Sequence, residues 1–271
     1  MGWNPINPKL PLREISACKG FFLNMYNDFS KFYDLFAYDI KYADFLEYYM
    51  KIFKMLKYSP ELVLDICCGT GSLTTLLSKN YDVIGIDSSI EMLNIAREKD
   101  KNGKILYLNQ SMTEFELYGT VDAVISSLDS VNYILEKEAL ITHFKLIKNY
   151  LNNGGVYIFD ISTRYKFKNI LSDNTFVDER EDVMFVWQND YDAYSHLNTM
   201  YLDIFYKEND AYSRISETHY ERAYTVSEIT SVIKKCGLKV LHIFDDFTFL
   251  PYQKTSERVF FVVGKMHSKT Q

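Results

Sequence analysis

Two aspartates and a glycine turn are the residues whose types and spacing could do chemistry. Asp65 lies in a short apolar run, the turn Gly69-Thr70-Gly71 follows it, and Asp87 ends the next apolar run. Glycine lets the backbone adopt positive φ and lets a ligand approach without meeting a Cβ atom. A carboxylate at the end of the following strand can accept hydrogen bonds from both hydroxyls of a ribose. The pattern therefore predicts a strand–turn–helix unit that binds a nucleoside.

Two nucleoside cofactors could use such a unit, a dinucleotide and S-adenosylmethionine. The dinucleotide fingerprint has a third glycine where this chain has Thr74, and the carboxylate of Asp65 would repel a pyrophosphate. The same carboxylate suits a cofactor with an ammonium group. S-adenosylmethionine has a ribose, an adenine and an amino-acid tail but no phosphate, so the sequence favours it.

Two motifs resemble those of the class I S-adenosylmethionine-dependent methyltransferases. Asp65-Ile-Cys-Cys-Gly-Thr-Gly71 is similar to the glycine motif of that family, and Ile86-Asp87-Ser-Ser-Ile-Glu-Met92 is similar to its second motif. The resemblance covers roughly residues 25–265. It implies an enzyme with an α/β, Rossmann-like seven-stranded sheet, helices on both faces, and S-adenosyl-L-methionine as its cofactor.

The periodicity of the chain predicts how the elements are ordered. Strands are expected at 62–66, 81–87, 105–108, 121–127 and 156–160, with two closing strands near 238–249 and 257–264. Between 164 and 224 the pattern changes, and 176–187, 199–206 and 214–224 look extended. We therefore predict an N-terminal extension at 1–24, a cofactor-binding domain at 25–163 and 225–266, and an inserted antiparallel lid at 164–224.

The position of each polar residue suggests a role toward the cofactor. Asp65 and the glycine turn would hold the amino-acid tail, Asp87 the ribose, and Met92 the adenine. Ser88, three residues before Glu91, predicts a helix cap. Aromatic faces stabilise a sulfonium, and related small-molecule methyltransferases close an N-terminal tyrosine over it. The predicted cofactor-binding residues are Tyr26, Tyr33, Asp65, Cys67, Gly69, Gly71, Asp87, Ser88, Met92, Ser111, Met112, Leu128, Asp129 and Asn132.

The acceptor is expected where the fourth strand ends, since open α/β sheets bind ligands at that edge. Asp129, Asn132 and Tyr133 follow that strand and resemble a substrate-facing loop of the family. The predicted catalytic residues are Tyr133, His219 and Arg222. His219 is the candidate general base for an amine or hydroxyl acceptor, because the reference pKa of histidine suits proton transfer at neutral pH. No metal site is predicted.

Composition and charge narrow the class of partner. The chain has 271 residues, a formal net charge of −6 and four cysteines without a Cys-x-x-Cys pair. An acidic balance argues against nucleic acid as a partner, and no apolar run reaches the ~18 residues of a membrane-spanning helix. No secretory signal is apparent, and reduced cysteines fit a cytoplasmic protein. We expect a monomer or homodimer that acts on a small molecule.

The predicted function is methyl transfer from S-adenosyl-L-methionine to an N or O atom of a small-molecule acceptor by in-line displacement. Three alternatives remain open on the sequence. A binding module without catalysis would bind the cofactor but never release S-adenosylhomocysteine. An NAD-dependent oxidoreductase shares the strand–turn–helix unit, and an RNA methyltransferase would need a basic face beside the cleft.

Overall fold

The computed structural model describes residues 29–265, and within them eleven strands form two sheets. The strands are β1 Leu62–Ile66, β2 Asp82–Asp87, β3 Leu106–Asn109, β4 Val121–Ser126, β5 Leu151–Ser162, β6 Thr175–Glu179, β7 Val183–Asp192, β8 Leu197–Glu208, β9 Ala211–Arg222, β10 Lys239–Asp245 and β11 Arg258–Gly264. The principal helices are α1 Ser30–Phe36, α2 Tyr42–Met55, α3 Ser72–Leu77, α4 Ile90–Lys99, α5 Lys137–Tyr150 and α6 Val226–Lys235. Shorter helical segments cover Ser130–Tyr133, Arg164–Lys166 and Phe167–Leu171.

The larger sheet has seven strands in the order β10-β11-β5-β4-β1-β2-β3. Strands β1 to β5 are parallel where they pair, and β11 lies antiparallel between β5 and β10. Val63, Leu64 and Ile66 are fully buried on β1, with a separate apolar cluster on each face of the sheet. Burial on both faces is why these strands read as continuous apolar runs. The predicted Rossmann-like fold is confirmed.

The smaller sheet is antiparallel, has the strand order β6-β7-β8-β9, and is inserted after β5 as predicted. The stretch 176–187, expected as one extended segment, is two strands that turn at 180–182. Strand β5 also begins earlier than predicted, at Leu151, directly after α5 ends. The division into domains at 1–24, 25–163 with 225–266, and 164–224 stays a prediction.

The inner face of the smaller sheet changes character along its length. One end is apolar and packs Phe185, Leu202 and Ile204 against Phe29 and Phe36 of the α1 region. The other end carries four buried polar side chains, those of Asn189, Asn198, His219 and Glu221. We call this second region the polar face. Buried polar groups of this kind need hydrogen-bond partners from the protein, from a ligand or from ordered water.

Among residues 29–265, no helix is both long enough and apolar enough to cross a membrane.

Candidate active site

The two glycines of the turn after β1 are required for opposite reasons. Gly71 has a φ of 72°, and a Cβ atom there would lie 2.8 Å from both the Ala96 Cβ and the Tyr107 hydroxyl. Gly69 has a φ of 54°, and a Cβ atom there would meet no heavy atom within 4 Å. Gly71 is therefore packed against α4 and β3, whereas Gly69 borders open space that a ligand could enter.

Asp87 connects the turn to the end of β2. Its carboxylate accepts hydrogen bonds from the backbone N–H groups of Gly69 and Ser89, each at 2.9 Å. Burial raises the pKa of Asp87, and these N–H donors oppose that rise. The carboxylate of Asp87 is thus joined directly to the turn at Gly69.

Asp65 lies on the neighbouring strand and is 2% exposed. Its carboxylate accepts a hydrogen bond of 2.7 Å from the hydroxyl of Thr74 on α3. Burial raises the pKa of Asp65 to about 7, the negative charge of Asp87 adds to the rise, and Thr74 opposes it. A bound cation would favour the state in which both carboxylates are ionised.

The predicted helix cap at Ser88 is wrong by one residue. Ser88 is exposed, and it is the Ser89 hydroxyl that accepts the hydrogen bond from the backbone N–H of Met92, at 3.1 Å. Met92 is buried on α4. A serine pair offers two cap positions, and the N–H contact of Asp87 with Ser89 selects the second.

The segment at Ser111 and Met112, where the adenine is expected, is supported by a histidine that the sequence analysis did not single out. Ser111 bonds to Thr113 within its own turn, at 3.0 Å between the hydroxyls. The Met112 carbonyl lies 2.9 Å from Nδ1 of the fully buried His143, whose Nε2 lies 2.9 Å from the Tyr157 hydroxyl. His143 therefore fixes the backbone at Met112 to α5 and β5.

His143 gives the protein a measurable pH dependence. Burial lowers the pKa of His143 to about 4, although its bond to Met112 opposes this. The unfolded chain, with a histidine pKa near 6.5, binds more protons below that pH, so acidification destabilises the fold. Between pH 7 and pH 5 the wild type should lose about 2 kcal/mol of unfolding free energy through this group. The His143→Asn variant should lack this loss in urea denaturation, while the exposed His242→Asn should follow the wild type. Parallel pH curves for all three proteins would contradict the assignment.

The loop after β4 carries an unusual backbone that one carboxylate holds in place. Leu128 and Asp129 have φ values of 58° and 50°, which side chains other than glycine rarely adopt. The carboxylate of Asp160, at the end of β5, accepts hydrogen bonds of 2.9 Å from both of their N–H groups. Arg258 pairs with the same carboxylate and lies 3.8 Å from that of Asp129. Burial would raise the pKa of Asp129, but Arg258 and then Lys166 outweigh it and hold the pKa below its ordinary value.

Asn132 acts as a clamp between the two sheets. Its side-chain amide donates to the carbonyls of Ser162 on β5 (3.0 Å) and Arg222 on β9 (2.8 Å), and its oxygen accepts from the Ser162 N–H. Both N–H groups are thus used by the protein. Asn132 positions the site, and direct contact between its N–H groups and a ligand would require these bonds to break.

The predicted catalytic residues are only partly brought together. His219 is fully buried, with ring centroids 6.0 Å from Phe29 and 6.2 Å from Tyr133, and its Nε2 lies 3.3 Å from Glu217. The guanidinium of Arg222 instead donates to the Leu135 carbonyl, at 3.2 Å. Tyr133 and His219 therefore meet, whereas Arg222 has a partner elsewhere.

Helix α1 and the residue before it connect the inserted sheet to the glycine turn. At its start, the Phe29 N–H donates to Glu217 on β9 at 3.2 Å. Near its end, Asp34 accepts from the Thr70 hydroxyl at 2.7 Å and pairs with Lys99 at 2.6 Å.

Of the other predicted cofactor-binding residues, Tyr33 is on α1 and half-buried, and Tyr26 lies outside the described residues. Cys67 adopts a φ of 58° in the loop itself.

Comparison with known proteins decides the family. Residues 63–155, which contain the glycine turn and both aspartates, match the family model described as a methyltransferase domain. The Bacillus subtilis (strain 168) protein named "Putative methyltransferase YqeM" is 35% identical over 212 residues, which are 77% of this chain and 85% of that protein. The chain belongs to the class I S-adenosylmethionine-dependent methyltransferases.

Solved structures of methyltransferases have the same fold. A crystal structure of an S-adenosylmethionine-dependent methyltransferase from Clostridium acetobutylicum ATCC 824 is 30% identical, with a TM-score of 0.81 over 90% of this chain and 100% of that one. The sugar N-methyltransferase KedS8 from Streptoalloteichus sp ATCC 53650 is 19% identical, with a TM-score of 0.72 over 87% of this chain and 93% of that one. The second likeness shows the fold alone.

The cofactor of this methyltransferase is S-adenosyl-L-methionine, and the residues at the glycine turn fit it. Space is open above Gly69, and the carboxylates of Asp65 and Asp87 can receive an ammonium group and a ribose. When bound, the cofactor supplies a methyl group on a positively charged sulfur. Membership of the methyltransferase family excludes the alternative of a dinucleotide cofactor. The roles of the individual residues stay proposals.

Proposed function

We propose that this methyltransferase transfers the methyl group to a nitrogen or oxygen atom of a small-molecule acceptor. The acceptor would bind between the carboxyl ends of β4 and β5 and the polar face of the inserted sheet. The observation that carries this proposal is the enclosure of those strand ends by residues 164–224, which we propose act as a lid.

Several contacts hold the lid over the strand ends. The side-chain amide of Asn132 donates a hydrogen bond to the Arg222 carbonyl at the end of β9. Shortly after β9, the Tyr224 hydroxyl donates to the Ile134 carbonyl. His219 and Glu221 are part of the lid itself and are buried on its inner face. A folded macromolecule would need an open surface to reach the same place, so the enclosure favours a small acceptor. The net charge of −6 likewise disfavours RNA.

Most of the catalytic effect would come from positioning. Holding donor and acceptor in line and excluding water can supply several kcal/mol of the barrier. The clamp at Asn132 and the pairing of Arg258 with Asp160 would fix the acceptor side, and Asp65 with Asp87 the cofactor side. KedS8, which shares the fold, is named as a sugar N-methyltransferase, which is consistent with a small acceptor.

The proposal is tested by a methyl-transfer screen of small amines and hydroxylated metabolites, each amine paired with its hydroxyl analogue. Mass spectrometry would follow S-adenosylhomocysteine together with the methylated product, which should appear in equal amounts. Asp87→Ala should lower cofactor affinity by about tenfold or more, whereas Asp82→Ala, on the exposed start of β2, should not. Cofactor binding without S-adenosylhomocysteine from any compound would indicate a catalytically silent module instead.

A further inference from the structure

Glu221 on β9 is a buried carboxyl group that forms no ion pair with residues 29–265. It is 8% exposed, and none of the ion pairs of residues 29–265 includes it. A carboxylate that is removed from water without a counter-ion is strongly destabilised. A positive charge from a ligand at ion-pair distance would therefore stabilise the ionised form of Glu221.

Charged groups from three other segments act on Glu221. They are Asp129 after β4, Lys166 after β5 and Arg258 at the start of β11. The two cations have nearer partners, because Lys166 donates to the Ser162 hydroxyl at 3.1 Å and Arg258 pairs with Asp160.

Other residues of the smaller sheet also surround Glu221. Asn198 on β8 lies directly opposite Glu221 in the strand register. On β9 the next side chains on the same face are those of His219 and Glu217, which lie 3.3 Å apart. Burial, followed by the negative charge of Asp129, raises the pKa of Glu221 to about 8, while Lys166, Arg258 and Asn198 oppose the rise.

Two asparagines beside Glu221 carry unused hydrogen-bonding groups. The Asn198 amide donates to the Asn189 oxygen at 3.0 Å, and both residues are buried. The Nδ2 of Asn189 and the Oδ1 of Asn198 have no hydrogen-bond partner in residues 29–265. An unpaired buried polar atom costs about 1–3 kcal/mol, and this donor and this acceptor on one face are placed where hydroxyl groups of a ligand could pair with them.

We propose that the acceptor is a hydroxylated amine, that Glu221 binds its ammonium group and takes its proton, and that Asn189 and Asn198 bind its hydroxyls. This inference rests on the proposed methyl transfer to a small molecule. It assigns the acceptor atom as nitrogen and places the acceptor between Glu221 and Asp129, at the carboxyl end of β4.

The proposed step balances in protons and charge. A proton moves from the ammonium to the Glu221 carboxylate and leaves the nitrogen with a free lone pair. That lone pair forms the new N–C bond, the S–C bond breaks, and its electrons stay on sulfur as a neutral thioether. The product is a methylated ammonium, and Glu221 then releases its proton to solvent. No oxidant, reductant or metal enters the step.

The test compares D-glucosamine with D-glucose, which differ at one position by an amine against a hydroxyl. Calorimetric titration into the full chain saturated with S-adenosylhomocysteine should show glucosamine binding about tenfold tighter or more. Glu221→Gln keeps the shape of the side chain and should remove this preference, and Glu221→Asp should keep part of it. Asp203→Asn makes the equivalent change from acid to amide on the opposite face of the lid, and this variant should retain the preference in full.

Each outcome bears on the inference separately from the proposed function. S-adenosylhomocysteine affinity should be unchanged in Glu221→Gln, which shows that the variant is folded. Equal binding of the two sugars, binding of neither, or a preference that survives in Glu221→Gln would overturn the role of Glu221. A screen that yields only O-methylated products would also overturn it while leaving the small-molecule methyltransferase intact.

Discussion

Replacing Arg258 with alanine is expected to lower the free energy of unfolding by about 3–5 kcal/mol. Arg258 pairs with Asp160, which is fully buried, and also lies near Asp129 and Asp246. Without the guanidinium, buried carboxylates would lose their main counter-charge. Urea denaturation at pH 7 measures the loss directly.

Matched variants separate this effect from the loss of any ion pair. Lys51 and Glu47 form an exposed pair at 2.7 Å on α2, and Lys51→Ala should cost less than about 1 kcal/mol. Combining Arg258→Ala with Asp160→Asn should recover part of the stability, because the amide removes the unpaired charge. A loss below about 1 kcal/mol for Arg258→Ala would mean that Asp160 is protonated in the folded protein.

The same variant should also change the backbone conformation of the active-site loop after β4. Asp160 holds the N–H groups of Leu128 and Asp129, whose left-handed conformations are costly for residues other than glycine. If Asp160 shifts, that loop is free to relax to an ordinary conformation. Arg258→Ala should therefore reduce methyl transfer even at temperatures where the protein remains folded.

The sequence predicted the parts of the site that are local along the chain. Asp65, the glycine turn and Asp87 lie within 23 residues, and their order reflects a strand, a tight turn and a second strand. Continuous apolar runs identified the buried parallel strands, and alternation identified the inserted sheet. These signals depend on neighbours in sequence, which is why the fold and the cofactor could be inferred from them.

The parts that sequence reasoning missed join residues far apart in the chain. Asp160 and Arg258 are 98 positions apart, and Asp34 and Thr70 are 36 apart. Alternation placed Glu221 on one face of a strand with His219, but it gave no indication of what covers that face. The burial of Glu221 therefore could not be inferred from its neighbours in sequence. The cap at Ser89 was missed because the choice between two adjacent serines depends on the contact with Asp87 across the turn.

Cofactor affinity is expected to fall steeply as pH drops below 7, because the pKa of Asp65 is about 7 through burial and the neighbouring charge of Asp87. If the ionised carboxylate receives the cofactor ammonium, affinity should be about fivefold weaker at pH 6 than at pH 7 and about fifty-fold weaker at pH 5. The ammonium itself stays protonated over this range, since α-amino groups titrate near pH 8. Calorimetric titration with S-adenosylhomocysteine, which has the same tail, measures the dependence.

The variant Asp65→Asn isolates the responsible carboxylate. Asparagine can still accept the hydrogen bond from Thr74, so the glycine turn should keep its shape. Affinity at pH 7 should fall by about tenfold or more through loss of a charged hydrogen bond. The remaining affinity should then vary little between pH 5 and pH 7.

A second ligand separates Asp65 from Asp87, whose pKa burial also raises. 5′-Methylthioadenosine has the ribose and adenine but no amino-acid tail, so it should respond to Asp87 and not to the Asp65 carboxylate. The difference between the two ligands in pH dependence therefore reports on Asp65 alone. Identical pH curves for both ligands would show that the ammonium binds elsewhere, and the buried carboxyl of Asp65 would then serve only to hold Thr74 and the start of α3.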